Sequence, residues 1–256
     1  MDSPPRFNVL GTGVSALSLD QARDFVLAAR GRRPTGYICC ATAYNVERAR
    51  ADPALRAAYN QSSLTTPDGM PLVWLGRAHG HRGITRVYGP DLLLAACAAG
   101  RAAGLTHYFY GGAPGVAETL REKLCARFPG LLVAGTFTPP FRPLTAEESS
   151  ALQADVAAKQ PDVIWVGLSS PLQEKFMAAH WRLLGGGLMV GVGAAFDFHS
   201  GRVAQAPRWM QRSGLEWLHR LGTDPRRLWR RYLVHNPLFV LRTCLQLTGL
   251  KKYPLD

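Results

Sequence analysis

Five short, almost unbroken apolar runs recur along the chain: YICCA (37–41), THYFY (106–110), LLVAG (131–135), DVIWVG (162–167) and LMVGV (188–192). Runs of this length without polar alternation make strands buried on both faces. Segments of helical periodicity separate them, over 19–30, 46–59, 90–103, 115–127, 146–159, 172–183 and 207–221. Strands that apolar need helices on both sides of a mostly parallel sheet, so the expected fold is α/β and Rossmann-like. In such sheets ligands bind at the carboxyl ends of the strands. Thr145 with Glu148, and Ser18 with Gln21, have the spacing of capping boxes.

The chain has 256 residues, enough for one large domain or a main domain with an appendage. Its formal net charge is +12, and that charge is unevenly placed. Residues 202–256 hold eleven Lys and Arg against three Asp and Glu, whereas residues 1–201 hold nineteen against fifteen. The expected division is therefore a catalytic core over 1–201 and a basic helical appendage over 202–256. Such a tail suits a polyanion: nucleic acid, an anionic lipid surface or a diphosphate. Five cysteines in odd number, without a C-x-x-C pair, read as reduced thiols. MDSPPRFNVL lacks the layout of a signal peptide, and no run reaches bilayer-spanning length.

In RRLWRRYLV (226–234) a helical wheel sets Arg226, Arg227, Arg230 and Arg231 against Leu228, Trp229, Tyr232 and Leu233. Asn236-Pro237 then reads as the start of a separate helix over 237–248, apolar but for an Arg242/Gln246 stripe. Basic amphipathic helices with Trp and Tyr lie in membrane interfaces. Trp229, Tyr232, Leu233 and Phe239 are the expected membrane contacts. The same apolar face could instead dock on the core, and the sequence leaves both readings open.

Of the glycine-rich stretches, GTGVSA (11–16) imitates a dinucleotide fingerprint but is followed by no suitable acid, and is expected to be a turn. YFYGGAPG (108–115) follows a strand, and Gly111 and Gly112 would let backbone N–H groups approach a phosphate, or merely make the turn. VGLSSPLQEKF (166–176) offers Gln173, whose amide suits sugar hydroxyls or a base, and Glu174 in a first helical turn. Asp197 lies between two Phe after a strand, and Asp68 lies in a Pro-Asp-Gly turn. The histidines show no metal-binding spacing, and neither a Walker loop, a G-x-S-x-G nor a D-x-D occurs. Without a carboxylate pair to clamp a metal, a polyphosphate would need arginines and helix N-termini.

Taken in order, TAYN (42–45), PDGMPLVW (67–74), RVYGPDL (86–92), YGGAPG (110–115), SSPLQEKF (169–176), GVGAAFDFHSG (191–201), APRWM (206–210), LEWLHRL (215–221) and DPRRLWRRY (224–232) span about four-fifths of the chain. That ordered set resembles the WecG/TagA/CpsF family of bacterial glycosyltransferases, glycosyltransferase family twenty-six. The resemblance implies an inverting, metal-independent transfer, without cofactor, from a UDP-sugar to a sugar on a polyprenyl diphosphate. The donors it implies are UDP-N-acetylmannosamine, its uronic acid or UDP-glucose. It implies a peripheral enzyme at the cytoplasmic face of the bacterial inner membrane, attached to an anionic surface, with a homo-oligomer left open. Asp68 matches the family's proposed general base, and Thr42 and Asn45 line the same pocket. Arg86, Asp91, Gly111, Gly112, Gln173, Glu174 and Asp197 fall on matching motifs as donor or acceptor contacts. Arg220, Arg227 and Arg230 would close over the diphosphate.

Two departures stand out. Gln205-Ala206-Pro207 replaces the family's usual R-A-P, leaving Arg202 or Arg208 to substitute, and Asp224-Pro225 replaces its E-P. The rival readings are a nucleotide-cofactor enzyme using NAD or S-adenosylmethionine, and a basic nucleic-acid-binding protein. The first rests on the weak fingerprint at 11–16. The second rests on net charge alone, since no nucleic-acid module is present.

Overall fold

A computed structural model describes residues 4–32, 35–140 and 142–255, with the Arg227 side chain outside the described residues. In chain order the elements are β1 (Arg6–Val9), β2 (Thr12–Ser15), α1 (Leu19–Leu27), β3 (Tyr37–Ala41), α2 (Ala43–Ala51), α3 (Pro53–Asn60), β4 (Leu64–Pro67) and α4 (Met70–Ala78). They continue with α5 (Gly89–Ala103), β5 (Thr106–Gly111), α6 (Val116–Arg127), β6 (Leu132–Phe137), α7 (Ala146–Lys159), β7 (Val163–Gly167), α8 (Leu172–His180), β8 (Leu188–Gly191) and α9 (Ala195–His199). The tail holds α10 (Arg208–Arg212), α11 (Glu216–Thr223), α12 (Pro225–Trp229), a π-helical turn (Arg230–His235) and α13 (Asn236–Leu247). The main sheet has the order β4-β3-β8-β7-β5-β6, with parallel pairing along β3, β8, β7, β5 and β6. The fold is thus the expected α/β sheet flanked by helices.

The chain divides into two compact units: residues 19–39 with 89–204, and residues 2–18 with 40–88 and 205–256. Strand β3 passes from the first into the second between Cys39 and Cys40.

In the first unit, the core of the sheet is Ile38, Phe109, Val163, Trp165 and Val190, all essentially without solvent contact. Two glycines sit where other atoms leave no room for a side chain. A Cβ at Gly187 would lie 1.8 Å from the Asp162 carbonyl oxygen, and one at Gly167 would lie 2.5 Å from the Phe196 ring. Thr145 and Glu148 form the expected capping box at the start of α7.

The second unit departs further from expectation. GTGVSA is not a plain turn. Leu10 and Gly11 alone turn, both with positive φ (52° and 85°), and residues 12–15 pair back on β1 as a hairpin. Two successive left-handed residues match the twist of the flanking strands. The helix expected over 46–59 is two helices, because Pro53 drives Asp52 into an extended conformation. The Asp52 carboxylate then caps α3 by accepting from Leu55 N–H at 3.1 Å. Short strand β4 and helix α4 lie on either side of Asp68, and Gly76 lets α4 settle against Phe7 and Ile84. The helix expected over 207–221 breaks at Gly214 (φ 77°), where a side chain would meet the Trp74 ring at 3.1 Å.

The C-terminal helices run on without the expected break at Asn236-Pro237. His235 and Asn236 keep right-handed helical angles, and the turn ahead of Pro237 widens to π geometry. A proline ring clashes with the carbonyl four residues earlier, and one wider turn relieves that clash without ending the helix. Tyr232 and Phe239, expected to touch a membrane, are buried at 7% and 2% exposure. Of the apolar residues there, Trp229, Leu233, Val240, Leu241 and Leu247 are among those that face outward. The polar stripe faces the protein: Arg242 pairs with Glu47, and Gln246 bridges Leu10 N–H and the Asn8 carbonyl on the hairpin.

Gly187→Ala should lower the melting temperature by several degrees, since the added methyl overlaps backbone that cannot move without parting β7 from β8; overpacking of this kind costs roughly 1–3 kcal/mol. Gly222→Ala, in α11 with nothing within 4 Å of its new Cβ, should leave it unchanged or raise it slightly. Differential scanning calorimetry of the two variants checks both.

Candidate active site

Asp68 sits in the second unit between the last residue of β4 and the Gly69 cap of α4. Its backbone N–H donates to the Ala41 carbonyl at 2.9 Å, which ties it to the carboxyl end of β3. The side chain is only 15% exposed, and among the described residues no hydrogen bond reaches its carboxylate. The nearest cation is Arg86, whose Nη2 lies 3.6 Å from Oδ1.

Arg86 spends its donors elsewhere. Nε donates to the Asp68 backbone carbonyl at 2.5 Å, Nη1 to the Gln211 carbonyl at 3.2 Å, and Nη2 to Glu216 Oε2 at 2.5 Å. Its guanidinium lies 4.1 Å above the Tyr88 ring, and the Tyr88 hydroxyl donates to Glu216 Oε1 at 2.9 Å. Burial pushes the Asp68 carboxyl up from 3.8. Arg86 opposes this, Glu216 adds to it, and the more weakly acting Arg220 and Arg231 oppose it, leaving Asp68 at about 6. Burial also raises the Tyr88 phenol, with the Glu216 and Asp68 charges adding to it. Burial alone would lower Arg86, but the two carboxylates outweigh it and hold the guanidinium above its ordinary value. A buried carboxylate with a raised pKa and a free face is suited to proton abstraction near neutral pH.

Thr42 and Asn45 meet as the cap of α2: Asn45 N–H donates to Thr42 Oγ1 at 3.3 Å, and Asn45 Oδ1 accepts from Thr42 N–H at 3.3 Å. The TAYN motif therefore closes a helix end as well as facing the site. Arg231, on the π turn, points the same way. Its Nη2 is 3.5 Å from Thr42 Oγ1, its guanidinium lies 4.7 Å over the Tyr44 ring, and its Nε has no hydrogen-bond partner among the described residues. Burial lowers its pKa, the cost of holding a cation short of counter-charge. Arg220 acts on both Asp68 and Arg231 through its charge. Arg230, by contrast, is exposed beside Trp229. The Arg227 side chain lies outside the described residues.

In the first unit Gly111, Gly112, Gln173, Glu174 and Asp197 lie at or beyond the carboxyl ends of β5, β7 and β8. The glycine pair has a packing reason. A side chain at Gly111 would lie 2.6 Å from the Gly167 carbonyl oxygen, and Gly112 N–H donates to that oxygen at 3.0 Å. Gly112 N–H is therefore not open to a phosphate. Helix α6 starts at Val116, past Pro114, with Gly115 as its cap. Gln173 uses its carbonyl to accept from Gly193 N–H at 2.8 Å, fixing the loop after β8. Glu174, in the first turn of α8, is wholly buried. Asp197 keeps an open carboxylate, 38% exposed and 3.8 Å from Arg202 Nη1. Asp91 is exposed in the first turn of α5, where the helix dipole favours an acid.

Three site residues escaped the sequence: Tyr88, Glu216 and Arg231. A usable signal existed for Glu216, one of only three acids in a tail of eleven cations. Arg231 could not be told from Arg230, because its orientation depends on the π turn. The glycines of the dinucleotide-like stretch lie in a hairpin and open no helix, which leaves that fingerprint without a phosphate site.

A profile of the Glycosyl transferase WecG/TagA/CpsF family matches residues 7–253. Two curated relatives bear the name N-acetylglucosaminyldiphosphoundecaprenol N-acetyl-beta-D-mannosaminyltransferase. The protein from Bacillus spizizenii is 31% identical over 185 residues, 72% of this chain and 70% of the relative. The protein from Bacillus subtilis is 29% identical over 174 residues, 68% of this chain and 66% of the relative. The matched stretches thus span about two thirds of each relative's length. With nearly its whole described length under one profile, the chain belongs to the WecG/TagA/CpsF family of glycosyl transferases.

Proposed function

We propose that this protein transfers a hexosaminyl group from a UDP-sugar to the sugar of a polyprenyl-diphosphate-linked acceptor, with inversion and with Asp68 as general base. The observation that carries the reading is the Asp68 carboxylate: largely buried, without a hydrogen bond among the described residues, and poised at about 6. The names of the relatives support N-acetylmannosamine as the donated sugar and N-acetylglucosaminyl diphosphoundecaprenol as the acceptor.

In this reaction Asp68 takes the proton of the acceptor hydroxyl as its oxygen bonds to the anomeric carbon. The bond from that carbon to the UDP oxygen breaks on the opposite face, and UDP leaves with the electron pair. Arg231 and Arg220 are placed to meet the negative charge that develops on the diphosphate, in a site where burial strengthens the attraction. Thr42 and Asn45 would hold sugar hydroxyls beside them.

The lipid acceptor would bring the enzyme to a membrane surface. No helix among the described residues is long and apolar enough to cross a bilayer. The outward face of α12, the π turn and α13 carries Trp229, Leu233, Val240, Leu241 and Leu247, with Arg230, Lys251 and Lys252 exposed nearby in sequence. That combination supports peripheral attachment to anionic lipid, with residues 202–256 acting as the membrane-directed appendage.

Asp68→Asn should lower kcat by about 10²–10⁴-fold while leaving UDP affinity within about twofold, by the usual worth of a general base. Retention of full transfer activity would sink the assignment. The wild-type rate should fall tenfold per pH unit below about pH 6, as Asp68 takes up a proton. The same variant should be more stable than the wild type at pH 7.5. A carboxyl whose folded pKa stands above its unfolded 3.8 loses stability as pH rises through the interval up to about 6. At ~1.4 kcal/mol per pH unit, the gain approaches ~3 kcal/mol at neutral pH and vanishes near pH 4. Melting curves at the two pH values measure it. Finally, Leu233→Glu with Val240→Glu should abolish flotation with phosphatidylglycerol vesicles and leave the melting temperature unchanged.

A further inference from the structure

Two carboxylates, Asp68 and Glu216, share one guanidinium in the second unit, and they share it unequally. Arg86 Nη2 is 2.5 Å from Glu216 Oε2 but 3.6 Å from Asp68 Oδ1. Its other hydrogen bonds among the described residues go to backbone carbonyls, one of them belonging to Asp68 itself. The Tyr88 hydroxyl fixes the other Glu216 oxygen, so the acceptor carboxylate cannot swing away from Arg86. Glu216 is 13% exposed and Arg86 17%, which leaves water little part in the balance of charge.

We propose that Glu216 is the positioning residue that keeps Arg86 from quenching the base: it supplies the guanidinium's counter-charge and turns it onto the Asp68 backbone, leaving the Asp68 carboxylate open to the acceptor hydroxyl. This rests on the reading of Asp68 as general base. Without Glu216, the nearest anion to Arg86 is the Asp68 carboxylate, and a short rotation would close 3.6 Å to a bidentate pair. A carboxylate paired in that way has a strongly lowered pKa and its lone pairs occupied. It would hold a proton badly and reach the acceptor poorly. Among the described residues, the charged groups acting on Asp68 are Arg86 before α5, Glu216 and Arg220 on α11, and Arg231 on the π turn. Three of the four are cations, and Glu216 is the one that opposes them. The Tyr88 phenol, driven upward by burial, stays protonated and serves only as a donor.

The test uses the full-length enzyme with UDP-N-acetylmannosamine and a short-chain polyprenyl-diphosphate acceptor, following kcat and KM against pH. Glu216→Gln keeps size and hydrogen-bonding atoms but removes the charge. It should shift the acid limb of the profile to lower pH by about one unit and reduce plateau kcat about tenfold or more, with donor KM within twofold. A limb that stays in place, or a loss confined to KM or to melting temperature, overturns the proposal. If that variant does not fold, the double variant Arg86→Gln/Glu216→Gln decides, because a pair of amides needs no buried counter-charge. Its limb should return to the wild-type pH or above it, and a limb below that pH also overturns the proposal. Asp68→Asn separates the two claims. If it is active, the base reading fails; if it is inactive while Glu216→Gln leaves the limb unmoved, only the role of Glu216 fails.

Discussion

The guanidinium of Arg86 is the interaction on which the second unit's site depends. It bonds to the backbone of Asp68, to the carbonyl of Gln211 in α10 and to the carboxylate at the head of α11, and it lies on the Tyr88 ring. A planar cation with five donors in fixed directions can bind three chain segments at once in defined orientation, which a lysine could not. Segments far apart in sequence are thereby held to a common geometry around one carboxylate. Because the group is buried, its charge must be answered inside the protein, and the answer determines how basic the neighbouring Asp68 can be.

Much of the first unit was legible in the sequence because its signals are local or periodic. The five apolar runs became β3, β5, β6, β7 and β8 within a few residues, and Thr145 with Glu148 caps α7 as expected. What failed was where one residue changes the backbone course. Pro53 splits a helix, Gly214 breaks another, and Leu10 takes a left-handed angle that its side chain does not announce. Strand β4 was missed because LTTP is short and ends in proline, and it gains its place only from neighbours.

The site was legible in part for the same reason. The resemblance pointed to Asp68, Arg86, Thr42 and Asn45, and the structure gathers all four in one unit. Glu216 and Arg231 depend on contacts across 130 and 189 residues, which no local pattern encodes. The tail departed from expectation: Leu228, Tyr232 and Arg231 turn inward while Trp229, Leu233 and Arg230 are exposed, and in α13 burial follows the Arg242 and Gln246 stripe. Glu47 and the hairpin supply polar partners there, and an apolar face without partners turns outward.

The second unit is stitched from three stretches of chain, and its outermost stitch joins Asn8 to the carbonyl of Tyr253, 245 residues away. Contacts of such separation form late, since closing a long loop costs entropy before any contact offsets it. During synthesis, Asp68 leaves the ribosome well before Glu216 and Arg231 do. A nascent or truncated chain therefore carries the carboxylate without the groups that tune it and without the arginines beside it. A chain stalled ahead of Glu216 thus holds Arg86 beside Asp68 while the carboxylate that bonds that guanidinium is still unmade.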